Sequence, residues 1–181
     1  MTQTTHTTAT ATATDERADL LEALAKQRYF LRFTTRDLTD EQAGQRTTAS
    51  ELCLGGLIKH VTSTERNWVD FILNGPSAMG DFTTMTEADW AKRADEFRML
   101  PGETLEGVLA EYEEVARRTD ELVAALPDLN AAHPLPKAPW FEADARWSAR
   151  RTLLHIIAET AQHAGHADII RESLDGAKSM G

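Results

Sequence analysis

A chain of 181 residues with a net charge of −10 and one cysteine is long enough to bury a core without cross-links and most simply holds one domain. Its acidic balance argues against nucleic acid or an anionic membrane surface as a partner, since both require a basic footprint. The lone Cys53 excludes an internal disulfide and a thiolate cluster, so any metal must be held by His and carboxylate.

Residues 1–14 are rich in Thr and Ala, with neither a basic start nor an apolar centre. They read as a disordered leader in which His6 is incidental. No apolar run approaches the ~20 residues needed to cross a bilayer, and a cytoplasmic location is expected. Arginine outnumbers lysine fourteen to five, which fits a GC-rich bacterial coding bias.

The first long helix is predicted from about Asp15 to Arg36, with Leu20, Leu21, Leu24, Tyr29, Leu31 and Phe33 on a broad apolar face, ending at the Leu38-Thr39-Asp40 turn. The second opens at Thr48-Ala49-Ser50-Glu51, a capping-box spacing, and runs through Leu57, Ile58, Val61, Trp68 and Phe71 to Asn74-Gly75-Pro76, with His60 in its middle. Gly55-Gly56 costs this helix roughly 1 kcal/mol per glycine, which points to a close helix approach or a kink there. Cys53 beside it is more plausibly structural than a nucleophile.

A short helix is expected around Glu87–Arg98, within a long crossover. The third long helix starts near Thr104 and runs to Leu126, with its acidic face solvated. A proline-rich loop, Pro127–Pro139, carries His133 and leads into Trp140-Phe141. The fourth helix occupies about Ser148 to Leu174 and closes at Gly176. No segment alternates like a strand between hairpin turns, so the predicted fold is all-α: a four-helix bundle over residues 15–176, with a long crossover between helices 2 and 3 and a tail at 177–181.

On the fourth helix His155, Glu159, His163 and His166 follow at spacings of four, four and three, which places them on one stripe. Leu153, Leu154, Ile156, Ile157, Ala158, Ala161, Ala164 and Ala167 fill most other directions, so the helix is expected to be largely buried and Glu159 to need a cationic partner. A metal, an Arg or a protonated His would serve, and a structural Glu–His pair remains an alternative. With a third ligand from another helix, Glu159 and His163 would leave a coordination position open, as catalytic zinc sites do. Imidazole and carboxylate without thiolate suit zinc, iron, nickel or manganese, and zinc is the preferred expectation. His155 and His166 would flank the site as proton shuttles or substrate contacts, although plain hydrogen-bonded roles serve as well. Trp68, Trp140 and Trp147 could line an apolar cavity or simply pack in the core. Arg150 and Arg151 could receive a carboxylate or mark a solvated helix start.

The run Leu57-Ile58-Lys59-His60-Val61 with Glu65-Arg66-Asn67-Trp68, and the run from Leu154 through His155, Glu159, His163 and His166 to Glu172, resemble the DinB-like superfamily of metal-binding four-helix bundles. Many members carry a second histidine where this chain has Glu159. The glutamate form is similar to the branch of mycothiol-dependent maleylpyruvate isomerase and mycothiol S-transferase. The resemblance implies His60, Glu159 and His163 as metal ligands, and a low-molecular-weight thiol, mycothiol in actinobacteria, attacking an electrophilic small molecule. The isomerase carries a further C-terminal domain that helps to form its active site, which this sequence does not show, so S-transfer to an electrophile or xenobiotic is the expectation. A noncatalytic, stress-associated metal-binding bundle and a metal-dependent hydrolase are the alternatives. Bundles of this kind often pair as homodimers through an apolar helix face.

Overall fold

Four long helices organise residues 15–179, the part of the chain described in the computed structural model: α1 (Glu16–Phe33), α3 (Leu54–Asn74), α5 (Leu105–Ala125) and α6 (Ala149–Asp175). The expected leader, with His6, lies outside the described residues. Two short α-helices, α2 (Asp40–Gly44) and α4 (Glu87–Ala94), three 3-10 helices (Gly75–Ala78, Phe82–Thr84 and Asp95–Phe97), and two short strands, β1 (Ala132–Pro134) and β2 (Arg146–Ser148), complete the set among the described residues. Local chemistry sets the helix ends. Asp15, Thr104 and Ser148 each accept a hydrogen bond from a backbone amide of the first turn that follows, those of Arg17, Gly107 and Arg151. Gly75 at φ 68° stops α3 before Pro76, and Gly176 at φ 80° stops α6.

Pairings along the helices give their directions. His60 meets His163 and Trp68 meets His155, so α3 and α6 are antiparallel. Arg66 pairs with Glu111, and Lys59 with Glu103, so α3 and α5 are parallel. Parallel neighbours cannot be joined by a tight turn, which is why the chain between them must make a long crossover. α3 packs on both α5 and α6, and α1 packs mainly on α6.

The core divides into two apolar clusters. One gathers Leu31, Leu54, Leu57, Ile58, Val61, Tyr112 and Ile170; the other gathers Leu24, Trp68, Phe71, Val123, Leu153 and Ile156. Between them lies a polar layer in which Glu65 of α3, fully buried, takes the Arg28 guanidinium of α1. Arg28 also donates to Asp120 of α5 at 2.8 Å. This one guanidinium ties three helices together, and its charge is matched twice over.

The structure corrects four expectations. α3 begins at Leu54, not at the Thr48–Glu51 box, because Thr48 and Ser50 turn their hydroxyls onto the amides of Ser50 and Leu52 and hold the segment in bends. The Leu38-Thr39-Asp40 turn leads directly into α2, whose capping box joins Thr39 to Gln42. The loop expected to lack strands holds an antiparallel pair with His133 opposite Trp147. Finally, α6 is not largely buried: Leu154 is 48% and Ile169 63% exposed on its outer face. Among the described residues no helix is long and apolar enough to cross a membrane.

Gly55 and Gly56 mark a close approach, made by the short 3-10 helix Asp95–Phe97 and by Met99 just after it. A Cβ on Gly56 would stand 2.0 Å from the Phe97 carbonyl oxygen, and one on Gly55 would stand 2.4 Å from Met99 Sδ. The end of the crossover thus lies directly on the first turn of α3. Lys59 anchors it there, donating to the carbonyls of Asp95 and Arg98 and to Glu103.

Candidate metal centre

His60 of α3 and Glu159 and His163 of α6 each offer one donor atom, and the three atoms lie within 4.8 Å of one another. Antiparallel packing of α3 on α6 brings them together, and the i,i+4 spacing on α6 puts its two donors on one side. His163 Nε2 stands 3.7 Å from one Glu159 oxygen, and His155 Nε2 stands 3.9 Å from the other. On its far side His163 Nδ1 meets His166 Nδ1 at 3.4 Å, a contact in which one ring must donate and the other accept.

His60 is held from the crossover. The Phe97 ring stacks on it at 4.0 Å, and a Glu96 oxygen approaches its Nδ1 to 3.6 Å. That nitrogen is buried and has no hydrogen-bond partner among the described residues. A buried polar atom left in this state is costly, and a histidine beside a second imidazole and a carboxylate is a donor set that fits a divalent cation.

The electrostatics agree with two ionised carboxylates and a neutral histidine. The adjacent His163 imidazole holds the Glu159 carboxyl below its ordinary range, burial works against this, and the charges of His155, His163 and His60 add to the lowering. Burial would raise Glu96, but its contacts with His60 and Ser63 and the charge of Arg93 outweigh that and lower it. Burial pushes the His155 imidazole down, opposed by Glu159 and assisted by Arg151. His155 is therefore neutral near pH 7, with a carboxylate beside it.

Two of the donors, His60 and Glu159, open onto a cavity of about 320 Å³. Trp68, Asn67 and Thr64 line it from α3, and His155 and Glu159 from α6. The crossover contributes Met79, Phe82, Arg93 and Glu96, and the loop after α5 contributes Trp140 and Phe141. Of the expected tryptophans, Trp68 and Trp140 line the cavity. Trp147 lies behind the wall, stacked on Trp68 at 4.8 Å and edge-on to His155 at 5.0 Å.

The arginines expected to bind an anion do not reach the cavity. Arg150 pairs with Glu16 at the start of α1 and donates to Asn130, while Arg151 lies over the outer face of Trp147, 4.0 Å from its centroid. Cys53, buried at the head of α3, directs its Sγ toward the Phe97 carbonyl at 3.8 Å. His133 rests edge-on to Phe71 at 5.8 Å, away from the donors. Sequence reading missed Glu96, Phe97, Phe82 and Arg93. The Gly55-Gly56 pair, which marks where the crossover lands, was the one signal that pointed toward them.

A family model described as mycothiol-S-transferase matches residues 19–176. No curated protein matches the chain in sequence. Among solved structures the chain is similar to YfiT from Bacillus subtilis, with a TM-score of 0.62 and 14% identity over 91% of each chain. That protein is described as "a probable metal-dependent hydrolase with an unusual four-helix bundle topology". At this identity the likeness shows the shared bundle fold.

Proposed function

The chain belongs to the mycothiol-S-transferase family, and from that premise we propose that it is a zinc-dependent, cytoplasmic thiol transferase, built as one bundle over residues 15–176, which joins mycothiol to an electrophilic small molecule. The observation that carries the reading is the convergence of the His60, Glu159 and His163 donor atoms within 4.8 Å, with His60 and Glu159 lining an aromatic cavity. In this reading the three side chains hold the metal. Bound there, zinc supplies Lewis acidity that lowers the pKa of a thiol and makes it a nucleophile at neutral pH.

The surrounding side chains have distinct tasks. With a metal held at His163 Nε2, the His163 Nδ1–H would donate to His166 Nδ1, 3.4 Å away, and fix the ring in the ligating tautomer. His155 Nε2, neutral and 3.9 Å from Glu159, takes the proton of the incoming thiol, and the carboxylate then balances the imidazolium. Trp68, Phe82, Trp140 and Phe141 exclude water and hold the electrophile by its apolar body. With an aryl halide, the C–S bond forms as halide leaves. The outer face of α6, with Leu154 and Ile169 exposed, is the apolar surface through which two copies would pair.

The test is consumption of mycothiol in the presence of chlorodinitrobenzene or a bimane. Turnover is expected to require both the metal and His163. Tight metal binding without conjugation would refute the transferase reading in favour of a binding protein, and turnover without thiol would replace it with a hydrolase.

A further inference from the structure

Arg93 is the guanidinium that lines the cavity. It is half-buried on the last turn of α4, its head 5.5 Å from the centroid of the Phe82 ring. Among the described residues its side chain makes no hydrogen bond and no ion pair. The acids around it are engaged elsewhere. Asp89 accepts from the amide and hydroxyl of Thr86 in a capping box. Asp95 takes Arg98, and Glu103 takes Lys59. Glu96 accepts from Ser63 at 2.9 Å and faces His60, while Glu159 lies between His155 and His163. The fold therefore brings a cation to an aromatic cavity with no hydrogen bond or close ion pair of its own among the described residues, its charge felt at longer range by Glu96.

We infer that Arg93 receives the carboxylate of an aromatic substrate whose ring lies between Trp68, Phe82 and Trp140. A planar guanidinium presents a fork of N–H donors that matches a carboxylate with two parallel hydrogen bonds. Flat aromatic walls suit a flat apolar body. Arg93 and these rings line the same cavity as His60 and Glu159, so a substrate anchored at Arg93 shares that space with two of the donors. The assignment rests on the thiol-transfer reading for which end of the substrate reacts, whereas binding of the carboxylate is independent of it.

The experiment is a titration of the full-length protein, followed by tryptophan fluorescence quenching, with 4-nitrobenzoate and with its neutral isostere 4-nitrobenzamide. The wild type is expected to bind the acid roughly tenfold more tightly than the amide, the scale of one charge-assisted contact. Arg93→Met is expected to lose that preference while keeping its affinity for the amide, and Arg93→Lys to restore part of it. Equal affinities in the wild type, no binding of either compound, or a preference that survives in Arg93→Met would overturn the inference. A preference that disappears when the metal is chelated, with Arg93 intact, would overturn it as well, since the carboxylate would then sit on the metal. Conjugation of an uncharged aryl halide separates the two readings. An Arg93-dependent preference without conjugation defeats only the transferase reading, and conjugation without the preference defeats only this one.

Discussion

Replacing Gly56 by alanine tests whether the crossover holds the metal centre in shape. In the structure the new Cβ would lie 2.0 Å from the Phe97 carbonyl oxygen, 2.3 Å from its carbonyl carbon and 2.7 Å from the Arg98 amide nitrogen. Ordinary contact begins at 3.4 Å, so the peptide must retreat by about 1.4 Å, and backbone cannot rotate aside as a side chain can. Alanine favours an α-helix over glycine by about 1 kcal/mol, while overpacking of this kind costs about 1–3 kcal/mol and occasionally more. Because the clash is with backbone, the upper part of that range applies, about 2–3 kcal/mol, and the expected net loss of about 1–2 kcal/mol lowers Tm by about 2–8 °C for a chain of this size. The retreating segment carries Phe97 off the His60 ring and Glu96 away from its Nδ1, so metal affinity should fall about 10-fold. Gly165→Ala is the control: nothing lies within 4 Å of its Cβ, and it should raise Tm slightly with metal affinity unchanged. Thermal melts and chelator competition read both quantities. Wild-type stability and affinity in Gly56→Ala would refute the idea that the close approach shapes the site.

Glu159→Gln removes the anionic donor of the triad and should weaken metal binding at least 10-fold in the same competition assay; an unchanged affinity would count against its assignment as a ligand. His133→Ala should leave metal content untouched, because that ring packs on Phe71 and not on the donors; metal loss measured in this variant would show that the donor set is wrong. Glu65→Ala leaves the Arg28 guanidinium in the core without its buried partner, and denaturant unfolding should show a loss of about 3–5 kcal/mol. A loss under about 1 kcal/mol would mean that Asp120 alone satisfies Arg28.

The helices were legible wherever a local rule governed them. Thr104, Ser148, Gly75 and Gly176 sit at the ends their chemistry implies, and the i,i+4 pair Glu159 and His163 faces one way as its spacing requires. Local rules also misled. The Thr48–Glu51 spacing is that of a capping box, yet the hydroxyls serve bends, since a cap and a turn use the same hydrogen bond. Three-residue strands, one of them ending in Pro134, carry no periodicity to detect. The apolar run on α6 suggested burial all round, but alanines at helical spacing fit an outer face as well as a core. The roof of the cavity was least legible. Glu96 and Phe97 reach His60 only because the crossover lands on Gly56, a contact between segments about forty residues apart that no helical period encodes.

The measurement closest to the central claim is elemental analysis of the untagged protein, purified without added metal, beside a His60→Ala variant. The account predicts near-stoichiometric divalent metal, zinc first, in the wild type and its loss in the variant. Absence of metal from both proteins, even after reconstitution, would contradict it and leave Glu159 and His163 as a structural pair.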